Sequence, residues 1–509
     1  MVASSSERTA TAPAASGGLA RTLSVWQAIG VSVGLMAPSM AANINPQASE
    51  PSVGRAVPLA FLLAAIGVLL VAYVFVRLCQ YFQHAGSVYA FVGGTLGARA
   101  GVVAGWGLLG TYTFYGVTTS SVVGIFGTSF LKSVGVWPNP PSWAPFTLTA
   151  AVLILAWVLT VVPARRGTNV LLTTEGLTVA LILIVSVVVL VRLVSGHAPG
   201  GQHFTLSVFA VPPGTGASAV FLAMVFGFLS FAGFEAASTL GEEASNPRRD
   251  IPRAILGTAA FGGLFFVVVT AVEMMGFGTN AAGVNKFGSS SSLLGDLGSS
   301  YVASWIGDAI TLGATVSAFG CCLACTVGGS RLLFSMSRDA FGDRGIGRPS
   351  GYGTPGRGAL AVAGTMAVII ALCVVLFHAD AEDTFVWGGT IGTLILLVVY
   401  ILATLGSISL VFIRRKLPVA RWQVIIPIAA LVLLGYTVYR NVIPYPSSGA
   451  GRWFPVVSGS WLLVALLVVL LAPGLSKRLG RKLAEAEGIS IENRGRHART
   501  ETAAAGEDG

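Results

Sequence analysis

The feature that most constrains this chain is a series of apolar runs of about 20 residues, each long enough to cross a ~30 Å hydrocarbon core as a helix. Twelve such runs fall near residues 25–46, 56–77, 100–130, 144–163, 168–194, 217–240, 252–277, 303–335, 359–378, 384–413, 424–440 and 455–472. Backbone in lipid must satisfy its own hydrogen bonds, so a chain of this pattern folds as a bundle of membrane-crossing helices. The expected fold is therefore an all-α polytopic membrane protein with twelve transmembrane helices. No connection is long enough for a soluble catalytic domain, and the extended polar segments are 1–24, about 278–302 and 474–509.

Only 10% of the 509 residues are charged, against roughly 25% in a soluble protein, and their placement orients the chain. Of the 31 Lys and Arg residues, six (Arg55, Lys132, Arg192, Lys286, Arg440 and Arg452) lie in one set of alternate connections, and the remaining 25 lie in the other set and the tails. Basic residues collect on the cytoplasmic side. Both termini are thus expected in the cytoplasm, in a multi-pass protein of the cytoplasmic (plasma) membrane. The formal charge of +10 suits an anionic inner leaflet; there is no basic domain on which a nucleic-acid partner would bind. A signal-peptide reading of Val25 to Met36 followed by Ser39-Met40-Ala41 would invert every later connection and reverse the charge bias.

Several chemistries lack their residues. The sequence has no Gly-Lys dipeptide, hence no phosphate-binding loop of the usual pattern, which argues against a self-contained ATP-driven pump. No Ser/His, Asp/Asp or His/Glu pair sits at compatible depth on the runs, which argues against an enzyme. The five cysteines (Cys79, Cys321, Cys322, Cys325 and Cys373) lie in or at the ends of runs, an odd set that is no disulfide frame. Cys321 and Cys325 share a helix face, but without a nearby histidine or second pair they read as packing residues rather than metal ligands. No cofactor or metal is expected. The Ser/Ala-rich start and the Arg-rich end read as solvated tails, with Leu475 to Glu487 as a short surface helix.

Two runs are interrupted. The first contains Gly30-Val31-Ser32-Val33-Gly34-Leu35-Met36-Ala37-Pro38-Ser39, and the sixth contains Phe226-Gly227-Phe228-Leu229-Ser230-Phe231-Ala232-Gly233-Phe234-Glu235. Proline removes a backbone donor and glycine weakens a helix, so such segments survive in a membrane where they line a polar cavity. The two breaks lie five runs apart, and five is odd, so a second five-helix unit enters from the opposite face. Inverted repeats with a site between two broken helices are the pattern of secondary transporters. Free N–H groups at a half-helix N-terminus suit a carboxylate, and free carbonyls at a half-helix C-terminus suit an ammonium. Gly34, Ala37, Pro38 and Ser39 on the first break, with Ser230, Phe231, Ala232 and Gly233 on the sixth, are the candidate binding residues. Glu235 sits beside the second break, where an ionised carboxylate is costly unless paired or hydrated. It is the candidate for ion coupling or gating. Glu175, Glu273 and Asp308 lie towards the ends of their runs and read as interfacial caps or ion-pair partners.

Phe231-Ala232-Gly233-Phe234-Glu235, then Gly241-Glu242-Glu243 and Asn246-Pro247-Arg248-Arg249-Asp250-Ile251-Pro252-Arg253-Ala254-Ile255, resemble the sixth-span signature of the amino acid, polyamine and organocation transporter superfamily. Ala85-Gly86-Ser87-Val88-Tyr89, Gly105-Trp106, Ser330-Arg331 and Ser337-Arg338-Asp339 match further, and the resemblance runs from about residue 22 to 475. It implies two inverted five-helix repeats, 25–195 and 217–413, followed by two additional helices in 424–473. It also implies that Tyr115, Gly116, Ser120, Leu229 and Cys325 line the pocket. The chain departs from the family pattern at Gly34-Leu35-Met36-Ala37-Pro38-Ser39, at Gln83 and at Ala340-Phe341-Gly342-Asp343. It also has no basic residue between Glu175 and Val191, where some proton-coupled relatives carry a lysine.

The expected activity is secondary active transport of amino acids, neutral ones favoured, by alternating access coupled to a proton or sodium gradient or to exchange. An amine or polyamine permease and a nontransporting amino acid sensor are the alternatives. The expected partners are the small-molecule substrate, H+ or Na+ and the bilayer, with the protein a monomer or homodimer. Ser317 and Thr326 offer oxygen ligands for sodium, and Glu242 and Glu243 with Arg248, Arg249 and Arg253 form either an inner gate or ordinary loop charge.

Overall fold

The structure is a computed structural model that describes residues 24–82, 88–162, 167–240, 244–342, 344–348, 350, 354–445, 449–472, 474 and 478. Both tails, with the Leu475 to Glu487 stretch, and Gln83, Ala85-Gly86-Ser87, Gly241-Glu242-Glu243 and Asp343 lie outside the described residues. The elements, in order, are α1 Val25–Met36, α2 Pro38–Val53, α3 Val57–Tyr81, α4 Val88–Leu96, α5 Ala98–Ser133, α6 Ala144–Val161, α7 Gly167–Val194 and α8 Ala219–Phe231. They continue with α9 Pro247–Phe277, α10 Ala281–Gly288, α11 Leu293–Tyr301, α12 Ser304–Phe341, α13 Gly356–Phe377, α14 Ala381–Ile408, α15 Ile425–Val442 and α16 Trp453–Leu471. No β-strand occurs among the described residues.

Eleven stretches of the described chain are long and apolar enough to cross a membrane. The first, Val25–Tyr81, is 57 residues long, about 85 Å if it were one straight helix, nearly three hydrocarbon thicknesses. It turns instead. Ala37 (φ 46°) separates α1 from α2, and Gly54 (φ 54°) ends α2. The sequence pattern closes the first run near residue 46, yet α2 continues to Val53 with Pro46 and Pro51 inside it. Each proline removes one ladder donor without ending a helix that is packed on several sides.

The centre of the bundle is α5, which packs along α12 and α14, while α3 packs along α9 and α2 along α8. Small residues let backbones approach, and α5 is rich in them: a β-carbon on Gly107 would press into Val399 of α14, and one on Gly124 into Pro145 of α6. Its hydroxyls are satisfied locally. Thr111, Thr113, Thr118, Thr119, Ser120 and Ser121 each donate to the carbonyl four residues earlier. By contrast, α13 and α16 expose Leu360, Val375 and Leu471, the apolar surface that a bilayer covers.

The polar segment 278–302 is not a plain loop. It folds into α10 and α11, with Phe287, Leu293 and Leu294 fully buried. Asn43 of α2 holds this cap in place: its Oδ1 accepts from the Ser292 hydroxyl at 3.0 Å and from the Leu294 and Gly295 amides at 3.0 and 3.3 Å. The two amides are first-turn donors of α11 that its own helix leaves unpaired. Gln47 adds a bond from Nε2 to the Gly288 carbonyl at 2.9 Å.

Candidate functional site

Both helix breaks have a local cause. Ala37 adopts a left-handed conformation at φ 46° and ψ 57°, which costs an L-residue roughly 1–2 kcal/mol. Pro38 follows at the first position of α2, where its missing N–H and fixed φ are tolerated. In the sixth run α8 stops at Phe231, Gly233 turns at φ 104°, and a 3-10 segment resumes at Ala236–Leu240. The two breaks touch. A β-carbon on Gly233 would lie 2.9 Å from Leu35 Cγ, and the Ala237 amide donates to Ser32 Oγ at 2.9 Å. Farther along, Asn45 Nδ2 donates to Ser230 Oγ at 2.8 Å.

A cavity of about 50 Å³ lies between the breaks, lined by Leu35, Met36 and Met40, by Leu229, Ala232, Gly233 and Glu235, by α5, and by Cys321 and Cys325 of α12. At ~30 Å³ per water, that lies between the shares of one and two waters. It adjoins a wider space of about 620 Å³, within the roughly 300–1,000 Å³ of ligand pockets. Leu35, Leu108, Tyr112, Ala236 and Thr239 border both. The wider space runs along Val31 and Gly34, Glu175, Ser317, Gly320 and Arg331, towards the start of α1 and the end of α12. On the opposite side, α10 and α11 are fastened to α2.

The candidate residues divide. Gly34 borders the wider space, and Tyr115, Leu229, Ala232, Gly233, Glu235 and Cys325 border the narrow one. Ala37 and Pro38 form the hinge, and Ser39 lies beyond it with its polar atoms engaged. Gly116 and Ser120 face neighbouring helices: a β-carbon on Gly116 would meet Met366, and the Ser120 carbonyl accepts from Thr149 Oγ1 at 3.2 Å. Ser230 bonds Asn45 and the Phe226 carbonyl, and Phe231 packs edge-on against Phe266 at 5.2 Å between ring centres. On α5 the lining residues are Leu108, Thr111, Tyr112, Tyr115, Thr118 and Thr119. They form a stripe at helical spacing, and Gly116 and Ser120 lie one residue off it, about 100° round the helix.

Glu235 is buried, with its Oε2 accepting from the Gly233 amide at 3.3 Å. The Tyr400 ring packs on Phe234 at 5.9 Å, and its hydroxyl lies beside Glu235. Tyr115 bonds its hydroxyl to Thr393 Oγ1 at 3.0 Å. The Cys321 thiol donates to the Leu35 carbonyl at 3.3 Å, occupying an acceptor freed where α1 ends.

Glu175 is not at an interface. It reaches from α7 to the break in the first run, accepting through Oε1 from the Ser39 amide at 2.9 Å and the Ser39 hydroxyl at 2.8 Å. The donors at the start of α2 are all accounted for: Pro38 has none, Ser39 binds Glu175, Met40 donates to Ser317 Oγ at 3.4 Å and Ala41 to the Ala37 carbonyl at 2.9 Å. The free N–H groups expected there are occupied. A sequence cue did exist, since Glu175 lies eight residues into α7, about 12 Å deep along a helix. Glu273 is also buried rather than interfacial, and neither of its oxygens has a hydrogen-bond partner among the described residues.

Interrupted helices enclosing a cavity inside a multi-pass bundle define a membrane transport protein. The chain belongs to the amino acid permease family, whose sequence profile matches residues 24–475, within the amino acid, polyamine and organocation superfamily. It is similar to a branched-chain amino acid permease of Bacillus subtilis, 27% identical over 300 residues, covering 56% of this chain and 60% of that one. A low-affinity putrescine importer of Escherichia coli is 26% identical over 292 residues, 56% of this chain and 59% of that one. These two matches span less than two thirds of the relatives' lengths. A methylthioribose transporter of Bacillus subtilis is 25% identical over 464 residues, 88% of this chain and 90% of that one. Members of the family are permeases, not enzymes.

Proposed function

We propose that the chain is a secondary active transporter that carries amino acids, neutral branched ones favoured, across the cytoplasmic membrane by alternating access. The observation that carries this reading is the lining of the space between the breaks. Leu35, Leu108, Leu229 and Leu396 line the narrow cavity and would face an apolar side chain once it widens, with Tyr112 and Thr239 as polar groups on the same lining. The likeness to a branched-chain amino acid permease supports the same substrate class. In this reading Val25–Tyr81 contains two crossings, giving twelve, arranged as inverted repeats 25–195 and 217–413 with two further helices, and with both termini cytoplasmic. The wider space then faces the cytoplasm, and α10 with α11 closes the outer side. Glu235 is the coupling acid, and transport follows a proton or sodium gradient or exchange.

A second reading, an amine or polyamine permease, draws on one observation: the start of α2 has no donor left for a substrate carboxylate. Uptake by purified protein in liposomes separates the two, using leucine, isoleucine, alanine, arginine and putrescine under imposed proton or sodium gradients. Accumulation of leucine supports the first reading. Uptake of putrescine without leucine supports the second and overturns the first.

A further inference from the structure

We propose that Glu175 is a built-in stand-in for the substrate's carboxylate, holding the Ser39 amide and hydroxyl in the empty protein and yielding them when an amino acid binds. This inference rests on the amino acid reading of the site. Three observations converge on it. The Glu175 carboxylate makes the paired contacts, 2.9 Å to the amide and 2.8 Å to the hydroxyl, that an α-carboxylate would make at a half-helix N-terminus. Its partners are neutral donors, and no described Lys, Arg or His forms an ion pair with it. It also borders the wider space of about 620 Å³, so the displaced side chain has room to enter.

The competition has a physical logic. An unpaired N–H at the hinge would cost several kcal/mol in a membrane, and the empty transporter must pass through states with no substrate bound. A tethered carboxylate satisfies the α2 terminus during those states. The substrate then exchanges one carboxylate for another, so binding sets Glu175 free rather than leaving α2 uncapped. The exchange also selects: a ligand without a carboxylate gains nothing by displacing Glu175, and the polar start of α2 stays occupied against it. The coupling acid Glu235 belongs to the other break, so the two acids have separate tasks.

The test compares leucine with leucinamide, which keeps the ammonium and side chain but lacks the carboxylate, in equilibrium binding to purified protein in detergent. Glu175→Gln keeps the size and an acceptor but removes the charge, and neutral hydrogen bonds are about half as strong as charge-assisted ones. Leucine should bind Glu175→Gln about five- to tenfold more tightly than the unmodified protein, with leucinamide unchanged. Glu175→Asp, one methylene shorter, should shift leucine in the same direction, which guards against a local effect of the amide. Leucine binding that is unchanged or weakened in both variants overturns the proposal, as does an equal change for leucinamide. If the unmodified protein binds no leucine at all, the amino acid reading fails, and this inference with it.

Discussion

Leu35 and Gly233 meet where the two interrupted helices cross: a β-carbon at 233 would sit 2.9 Å from Leu35 Cγ, on a backbone turned to φ 104°. Both the space and the dihedral favour glycine. Gly233→Ala should therefore lose about 1–3 kcal/mol of stability and reduce uptake at least about tenfold in protein that still elutes as a folded species. Wild-type uptake by the variant would show that the contact between the breaks is dispensable.

Glu235 borders the narrow cavity and is held by the Gly233 amide. Glutamine in its place keeps the shape and cannot carry a proton. Initial uptake rates of Glu235→Gln between pH 5 and 8 should be flat, with substrate affinity within about twofold of the unmodified protein. A pH profile like that of the parent would remove Glu235 from the coupling step.

Asn43 accepts three hydrogen bonds at the start of α11. Asn43→Ala strands two buried amides, at roughly 1–3 kcal/mol each. Amides 293–297 should exchange with deuterium more than about tenfold faster, while exchange in α13 stays unchanged. Equal protection in both proteins would show that the cap is held elsewhere.

Asp296 of α11 lies in the cap that Asn43 fastens. Burial raises its carboxyl above the ordinary value of 3.8, and the Ser290 hydroxyl, donating to Oδ2 at 2.6 Å, partly opposes this. A raised acid favours the protonated folded form, so its stabilising contribution is full below pH 3.8 and is lost as pH rises through the raised value. Protection of α11, corrected for intrinsic exchange, should fall as pH rises from 3.8 through the raised value, and Asp296→Asn should flatten that fall. A variant with the parent's slope would assign the effect to another group.

Glu273 is fully buried and both its oxygens lack partners among the described residues. Methionine fills a similar volume without a polar group to bury. Glu273→Met should raise thermal stability by about 1–3 kcal/mol, read as melting temperature in detergent; a fall would mean that Glu273 has a partner in the dominant state.

How much of this was legible beforehand depends on how local each feature is. The breaks were readable because their causes are consecutive residues: Pro38 after Ala37, and Gly233 after Ala232. The stripe on α5 was readable in part. Tyr115 lies on it, while Gly116 and Ser120 are neighbours turned towards Met366 and α6. Small residues serve cavities and helix contacts alike, so residue type alone does not choose between them. The occupation of the α2 donors was hidden because Glu175 is 136 residues from Ser39, and only the packing of α7 brings them together. The cap was hidden for a similar reason: a polar stretch gains its burial from Asn43 and Gln47 on a distant helix.

The fastening between α2 and the α10–α11 cap consists of Asn43, Gln47, Ser292 and backbone groups, none of which carries a charge. A charge moved through the membrane field is worth about 2.3 kcal/mol per 100 mV, and neutral groups are nearly indifferent to it. Breaking these hydrogen bonds moves no charge by itself, so a membrane field acts on the cap through Lys286 of α10 and Asp296 of α11. Substitutions at Asn43 or Gln47 should then loosen the cap without altering its response to a field, whereas a charge change at Lys286 or Asp296 should alter that response.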